Sequence, residues 1–240
     1  MSNAFCDCLL QLLFLAPFVL LASRPGGNVK AGTLLLAALL FIATSMATDL
    51  LVDIPFFEGQ KWNWGGKIVS LAIALVFIFS YRSVPPRQFG LTLQIETGNA
   101  GRIFLVCAGY VVFRLALYLA LTKAPFVFHS ETILYQATLP GIAEEMIFRG
   151  ILLTLLNRVF TRPKWTFARV SFGWAAVITS LLFGLVHGLY FDDGYHIHIL
   201  FPTVLRIAFD GLLFALLTEK TKSLVPAVLL HNVLNLIGTH

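Results

Sequence analysis

The sequence predicts an all-α, polytopic membrane protein of about eight transmembrane helices. Hydrophobic residues make up 58% of the 240 positions and charged residues only 12%, whereas about a quarter of a typical soluble domain is charged. The mean hydropathy is +0.84. The apolar residues also fall into runs close to the length of about 20 residues that a spanning helix needs. These observations place the chain in a bilayer rather than in water.

Eight apolar segments are candidates for the spanning helices, and polar loops containing Gly and Pro separate them. The third and the last are short, so seven helices remain possible. We interpret the first as a retained helix and not as a signal peptide, because its opening stretch MSNAFCDC contains Asp7 and neither Lys nor Arg. The segments are residues 5–22, 33–52, 68–81, 103–121, 133–156, 172–189, 199–217 and 224–237.

The distribution of Lys and Arg predicts the orientation of these helices. The formal net charge is +5, but the basic residues form no continuous stripe along the chain, so we expect no nucleic-acid partner. Cytoplasmic loops are enriched in Lys and Arg. The first, third, fifth and seventh loops hold eleven of these residues, and the opposite loops hold only Lys61, Lys67 and Lys123. With eight helices, both termini are therefore predicted to be extracytoplasmic.

Three charged residues within the apolar segments have a structural interpretation. A charge at the centre of a spanning helix costs about 2.5 to 3.5 kcal/mol on insertion scales, so each one needs an explanation. Arg206 and Asp210 are four residues apart on one helix face and can neutralise each other. Arg114 needs a partner on another helix. We interpret all three as members of structural ion pairs.

The fifth segment carries the motif EExxxR, which consists of Glu144, Glu145 and Arg149. Glu145 and Arg149 are four residues apart and can form an ion pair on one face. The helix period turns Glu144 about 100° away from that pair. A carboxylate that has no such partner in an apolar segment needs another reason to be there, and the role of general base is one.

Two later segments carry polar motifs at the same helical spacing. Phe183 and His187 share a face in FGLVH, and His231 and Asn235 share a face in HNVLN. A carboxylate and one histidine can activate a water, while a second histidine and an amide can donate hydrogen bonds to an oxyanion. Each motif alone is equally typical of packing residues. In this order on three apolar helices, they indicate a catalytic site.

The ordered set EExxxR, FxxxH and HxxxN resembles the motifs of the CPBP family, the CAAX protease and bacteriocin-processing (Abi) intramembrane endopeptidases. The resemblance covers residues 131–240, and the first four helices resemble generic membrane segments only. We therefore divide the chain into residues 1–125, poorly diagnostic N-terminal transmembrane helices, and residues 126–240, a CPBP-type catalytic helical core. Together they are predicted to form a single integral membrane domain.

The resemblance implies peptide-bond hydrolysis without a covalent acyl-enzyme, as in a glutamic endopeptidase. By this resemblance Glu144 and His187 activate the attacking water, and His231 and Asn235 form the oxyanion site. The implied motif-support residues, which orient the motif helix or form the wall beside the histidine of FxxxH, are Glu145, Arg149 and Phe183.

We expect no cofactor and no metal, although zinc remains an alternative. Two histidines and one glutamate are enough for three sites of a zinc centre. The HxxxN motif, however, supplies hydrogen-bond donors better than it supplies metal ligands. A second group of possible ligands, His196 and His198 with Asp192 and Asp193, is interpreted as a solvated polar loop.

The predicted partners are the lipid bilayer and a membrane-associated protein or peptide substrate. By resemblance the substrate is a prenylated CAAX protein, a bacteriocin leader peptide or a C-terminal sorting segment of an exported protein.

Buried Glu and His residues also mark proton relays, so a proton-coupled transporter and a non-catalytic immunity or binding protein are the alternatives. No inverted repeat supports the transporter. We expect a prokaryotic inner membrane, and the sequence predicts no oligomeric state.

Overall fold

The computed structural model describes residues 3–23, 30–50, 59–121, 129–162 and 164–238. Lys123 and residues 51–52, where the second predicted span ends, lie outside this part of the chain. Helices dominate the described residues, as predicted. The helices are α1 (Ala4–Ser23), α2 (Ala31–Leu50), α3 (Trp64–Ser80), α4 (Gly101–Leu121), α5 (Ser130–Gln136), α6 (Leu139–Glu145), α7 (Leu153–Val159), α8 (Trp174–Gly188), α9 (Phe201–Thr221) and α10 (Val225–Gly238).

Four of these helices, α1, α2, α4 and α9, are long and apolar enough to cross a membrane. Helices α3, α8 and α10 are apolar but shorter, with 17, 15 and 14 residues. The outer surface carries many large apolar side chains, among them Leu13 on α1 and Leu105 on α4. This is the surface that lipid covers in a membrane protein. The predicted number of eight spanning helices stays a prediction.

The fifth predicted span, residues 133–156, is not one helix, and this part of the prediction is wrong. A turn follows α5, and Pro140 lies in the first turn of α6. Proline is favoured there because it has no N–H for the hydrogen bond that a helix interior requires. After α6 the chain forms a π-helix over Met146–Leu152, which leads into α7. Single π turns inside α-helices are rare and frequent at functional sites.

Two short antiparallel hairpins connect helices where the sequence predicted loops or helix. The first pairs β1 (Lys164–Phe167) with β2 (Val170–Gly173), which shortens the sixth predicted span at its start. The second pairs β3 (Leu189–Phe191) with β4 (Ile197–Ile199) and joins α8 to α9. Both are minor additions to a helical fold.

The β3–β4 hairpin is attached to the first three turns of α1. The backbone N–H of Phe191 donates to Oδ1 of Asp7 at 2.7 Å, and Nε2 of Gln11 donates to the carbonyl oxygen of Leu189 at 3.0 Å. The start of α1, the end of α8 and this hairpin therefore lie at one end of the bundle.

Helices α8 and α9 pack closely because α8 has a glycine at their contact. A Cβ atom on Gly184 would lie 2.4 Å from the carbonyl oxygen of Val204 on α9. Small residues allow the backbones of membrane helices to approach in this way. The FxxxH motif is consequently held against the centre of the bundle.

The predicted ion pairs of the apolar segments are present. Arg206 Nη1 lies 3.6 Å from Asp210 Oδ2 within α9. Arg114 on α4 finds its partner in the same carboxylate, with Nη1 3.1 Å from Asp210 Oδ2. The hydroxyl of Tyr110 donates to the other oxygen, Oδ1, at 2.5 Å. Asp210 therefore links the peripheral helix α4 to α9.

Candidate active site

Three residues that the sequence analysis selected meet in the interior of the bundle, near the end of α8. Glu144 lies at the end of α6, His187 in the last turn of α8 and His231 in α10. Glu144 Oε2 is 3.8 Å from Nε2 of His187 and 3.9 Å from Nε2 of His231. These separations are too long for direct hydrogen bonds and short enough for one bridging water. The three side chains thus surround a position that a water molecule can occupy.

The carboxylate of Glu144 has a partner that the sequence analysis missed. Lys67 Nζ lies 2.5 Å from Glu144 Oε1, and both side chains are largely buried. Glu144 Oε2 has no hydrogen-bond partner among the described residues. The ion pair therefore engages one oxygen and directs the other toward the two histidines.

The count of Lys and Arg in alternate loops, which predicted the orientation, placed Lys67 in a loop. This placement is wrong. The third apolar run starts at residue 68, but α3 begins at Trp64. The Asn63 side chain accepts a hydrogen bond from the Gly66 N–H at 2.8 Å, which caps the helix before the apolar run. The sequence contained one indication of this earlier start. Asn63, a residue type that is favoured as a helix cap, precedes Lys67 by four residues.

The hydrogen bond of His187 determines which ring nitrogen faces Glu144. Nδ1 lies 2.8 Å from the carbonyl oxygen of Phe183, which can only accept, so Nδ1 carries the proton. In the neutral ring Nε2 is then an acceptor beside Glu144. The Phe183 ring lies 4.8 Å from the imidazole. Its role as a wall of the site stays a prediction.

His231 is held by two contacts. Nδ1 lies 2.8 Å from Oε1 of Glu145, so Nδ1 donates to this carboxylate. The imidazole stacks on Phe214, with ring centroids 5.1 Å apart and an interplanar angle of 7°. The other ring nitrogen, Nε2, faces Glu144.

Glu145 and Arg149 form the predicted pair in the bundle interior. Arg149 Nη1 lies 3.0 Å from Glu145 Oε1, and both side chains are 0% exposed. The guanidinium also lies over two aromatic rings, 4.4 Å from the centroid of Phe183 and 5.1 Å from that of Phe214. Such cation–π contacts stabilise a desolvated arginine. Glu145 therefore bonds both the arginine of its own motif and the histidine of HxxxN.

The two asparagines of HNVLN have different surroundings. Asn235 is partly buried and lines the same cavity as the three central residues. Asn232, which the sequence analysis did not select, binds the backbone before Glu144: Oδ1 accepts from the Gly141 N–H at 3.1 Å, and Nδ2 donates to the carbonyl of Ala137 at 2.8 Å. A Cβ on Gly141 would lie 2.1 Å from Asn232 Oδ1, so α6 and α10 approach this closely only with glycine there.

Two cavities reach the site from different sides. The α9–α10 cavity, of about 370 Å³, contains the side chains of His231 and Asn235. The α1–α2 cavity, of about 310 Å³, is bounded by α1, α2 and α3. Lys67, Glu144 and His187 line both of them. The Glu144 carboxylate therefore lies at the boundary between the two cavities.

Of the second histidine pair, His196 lies in the turn between β3 and β4, whereas His198 lies on β4 and not in a loop as predicted; neither lines the two cavities. Both imidazoles contact Asp192, with His198 Nε2 at 2.9 Å and His196 Nδ1 at 3.3 Å. The hydrogen bond from His198, followed by that from the His196 backbone amide, holds the pKa of Asp192 below its usual range. In the part of the chain that the structure describes, no group of three or more His, Cys, Asp or Glu side chains is arranged to hold a metal ion.

One comparison with known proteins identifies the C-terminal part of the chain. Residues 126–237 match the family model of the type II CAAX prenyl endopeptidase Rce1-like family. All three motifs lie within these residues. No curated protein and no solved structure matches the chain. The long apolar helices and this match fit an integral membrane protein. This match supports the assignment of residues 126–237 to the CPBP/CAAX protease family.

Proposed function

We propose that the protein is an intramembrane glutamic endopeptidase. It hydrolyses a peptide bond near the membrane in a membrane-associated protein or peptide of the kinds that the family resemblance implies. The observation that carries this proposal is the position of Glu144 Oε2, which faces Nε2 of His187 at 3.8 Å and Nε2 of His231 at 3.9 Å. The match to a prenyl endopeptidase family makes a CAAX-type substrate the first to test.

Glu144 and His187 activate the water. Lys67 engages Oε1 of Glu144, so Oε2 is the oxygen that accepts a hydrogen bond from water. His187 donates from Nδ1 to Phe183 and keeps the Nε2 lone pair directed at the same region. As the water oxygen attacks the scissile carbonyl carbon, its proton passes to this Glu–His pair. No bond forms between enzyme and substrate.

His231 and Asn235 stabilise the oxyanion that this attack creates. Because Nδ1 of His231 already donates to Glu145, the ring donates from Nε2 when it is doubly protonated. The buried Glu145 carboxylate, which also pairs with Arg149, holds that ring in place by its hydrogen bond to Nδ1. The Asn235 amide, in the same cavity, is the second donor.

The tetrahedral intermediate then collapses. The C–N bond breaks, and the amine leaving group takes the proton that the Glu–His pair received from water. One water and one peptide bond are consumed, and one carboxyl and one amino terminus are formed. The pair returns to its starting protonation state, which the mechanism requires for turnover.

Lys67 supports the metal-free mechanism over a zinc centre. Its ammonium lies 2.5 Å from Glu144 Oε1, and a Zn²⁺ ion bound to the same carboxylate would repel it. Glu144, His187 and His231 would be the ligands of such an ion. We expect full activity after exhaustive chelation and no stoichiometric zinc by elemental analysis; loss of activity that zinc restores would favour the metalloprotease.

The proposed location is a prokaryotic inner membrane with both termini extracytoplasmic. The site lies toward the bundle end that contains the start of α3 and the end of α8. The distribution of Lys and Arg makes this end extracytoplasmic, and reassigning Lys67 to α3 strengthens the asymmetry. Labelling of cysteines placed at each terminus in intact cells tests the orientation.

The function is tested by peptidase activity in proteoliposomes and by membrane proteomics. We expect Glu144→Ala and His187→Ala each to lower cleavage by about 10²- to 10⁴-fold, because each removes a group that handles the proton. Glu96→Ala is the matched control, since Glu96 is exposed and lines neither cavity of the site. In cells, the substrate is the membrane or secreted protein whose terminus stays uncut with Glu144→Ala.

Wild-type cleavage by both alanine variants, with folded protein present, would contradict the proposal. Substrate-coupled proton uptake that is lost in Glu144→Gln, without peptidase activity in the wild type, would instead favour the proton-coupled transporter.

A further inference from the structure

We propose that the α1–α2 cavity admits the hydrolytic water to Glu144 and His187, while the peptide binds in the α9–α10 cavity. This inference rests on the proposed peptidase function. It assigns a role to the N-terminal helices, which show no family motif. Three observations support it. Polar side chains line the α1–α2 cavity, and two hydrogen-bond acceptors in its wall lack a partner among the described residues. The two cavities are also lined by different residues beyond those that they share.

Polar residues line the α1–α2 cavity although α1, α2 and α3 are apolar helices. They recur at helical spacing and so share a face on each helix. In membrane proteins such residues face the bundle interior or a water-filled cavity. Besides Lys67, Glu144 and His187, the polar lining consists of Asp7, Gln11, Thr44, Ser45, Thr48, Asp49 and Ser70.

Two buried acceptors at this cavity have no hydrogen-bond partner in the part of the chain that the structure describes. The Gln11 side chain donates from Nε2 to Leu189, but Oε1 has no hydrogen-bond partner among the described residues, and the residue is 3% exposed. Glu144 Oε2, in the lining of the same cavity, also has no hydrogen-bond partner among the described residues. Buried polar atoms are normally bonded to protein or to ordered water. Water in this cavity satisfies both atoms.

The cavity has the size and the acceptors for several water molecules. Its volume of about 310 Å³ exceeds the roughly 30 Å³ that one water occupies in the liquid. The hydroxyls of Thr44 and Thr48 donate to carbonyl oxygens of their own helix, those of Leu40 and Thr44. Their oxygens remain acceptors for water along the wall.

The position of the polar residues gives the path a direction. Asp7 lies in the first turn of α1, and Asp49 lies at the end of α2. Both belong to the bundle end that carries the β3–β4 hairpin, as does the start of α3. The path therefore runs from this end of the bundle inward to Glu144.

The α9–α10 cavity has the features that a peptide requires. It contains His231 and Asn235, the proposed oxyanion donors, together with apolar walls formed by Ile207, Phe214 and Leu234. Because Glu144 lies between the cavities, water reaches the carbonyl carbon from one side while the carbonyl oxygen meets its donors on the other. This separation keeps the bound peptide from blocking the supply of water.

The first test measures water access without relying on catalysis. In a chain with Cys6→Ala, Cys8→Ala and Cys107→Ala, Ser45→Cys places a thiol in the α1–α2 cavity. Ala43→Cys is the control, because Ala43 lies two residues away on the same helix, is exposed and does not line the cavity.

In proteoliposomes, a charged, water-soluble thiol reagent should modify Ser45→Cys at least about tenfold faster than Ala43→Cys, because only a hydrated thiol ionises to the reactive thiolate. Equal rates would overturn the water path. A failure of the peptidase proposal leaves this measurement unaffected.

The second test asks what the cavity contributes to catalysis. Ser45→Leu fills it, and Ala43→Leu is again the control. We expect Ser45→Leu to lower kcat by at least about tenfold with an unchanged KM, since water supply and not peptide binding is impaired.

An unchanged kcat, in protein in which Glu144→Ala is inactive, would refute the water path and leave the peptidase proposal standing. A raised KM with unchanged kcat would place the peptide in the α1–α2 cavity and would equally overturn the inference.

Discussion

The N-terminal helices α1–α4 and the C-terminal helices contribute to one site in different ways. The C-terminal region has three motifs whose residues are separated by fixed helical spacings, and sequence analysis finds them. The N-terminal region has scattered polar residues on apolar helices and resembles generic membrane segments. Even so, its Lys67 contacts Glu144 directly, and three of its helices line a cavity at that carboxylate. A region without a motif can thus contribute residues to a candidate site.

The two regions also differ in the charges that they supply. Lys67 on α3 pairs with Glu144, and Arg114 on α4 pairs with Asp210. In both pairs the cation is N-terminal and the carboxylate is C-terminal. The pair of Arg149 with Glu145, in contrast, lies within the C-terminal region. Variants of these pairs therefore separate what each region contributes to stability and to chemistry.

The largest effect is expected within the C-terminal region. Arg149→Met leaves Glu145 buried without the guanidinium, and removing one partner of a buried pair costs about 3 to 5 kcal/mol. We expect a marked fall in the unfolding temperature in detergent and in the amount of folded protein.

The double variant Glu145→Leu/Arg149→Met should recover most of this stability, because no buried charge is left unpaired. It should remain inactive, since His231 then lacks the carboxylate that orients it. An unfolding temperature of Arg149→Met equal to that of the wild type would contradict the structural role of the pair.

A somewhat smaller effect, on catalysis rather than stability, is expected from the N-terminal region. Lys67→Met removes the cation that engages Glu144 Oε1. We expect kcat to fall by about 10²-fold, while KM changes little because Lys67 does not supply the oxyanion donors. Steady-state kinetics in proteoliposomes measure both constants.

Lys67→Arg is the conservative control and should restore a substantial part of kcat, because it returns a positive charge to the same position. If Lys67→Met kept the wild-type kcat, the N-terminal region would have no direct part in the chemistry.

The ion pair between α4 and α9 should have a moderate effect on stability. Arg114→Leu removes a largely buried partner of Asp210 and should lower the free energy of unfolding by about 1 to 3 kcal/mol. Arg206→Leu is the internal control, because the Arg206 side chain is 46% exposed and lies farther from the same carboxylate. Its effect should stay below about 1 kcal/mol. Equal effects in chemical unfolding would show that burial does not distinguish the two pairs.

The smallest effect is expected in the exposed β3–β4 hairpin. Because hydrogen bonding lowers the pKa of Asp192, the stabilisation from its ionised form is present at neutral pH and is lost as the pH falls through the lowered pKa. Asp192→Asn should therefore weaken the acid dependence of the unfolding temperature and leave peptidase activity within about twofold of wild type, as expected of a surface substitution. A large loss of activity that a metal restores would instead make the loop a metal site.

Much of the helical fold could be predicted from composition and hydropathy, because a spanning segment must satisfy its backbone hydrogen bonds internally. The break in the fifth segment was present in the sequence as Pro140, but its apolar surroundings favoured one continuous helix. The hairpins were missed because a few residues of strand give little periodic signal.

The sequence by itself determined which residues share a helix face, because the α-helical period is a local property. Glu145 with Arg149, Phe183 with His187, and Arg206 with Asp210 are contacts of this kind.

Contacts between helices were decided by the tertiary structure. The bond of Lys67 to Glu144 and that of Asn232 to Gly141 depend on the depth, rotation and close packing of whole helices. These quantities follow from all packing contacts together, and no local spacing encodes them.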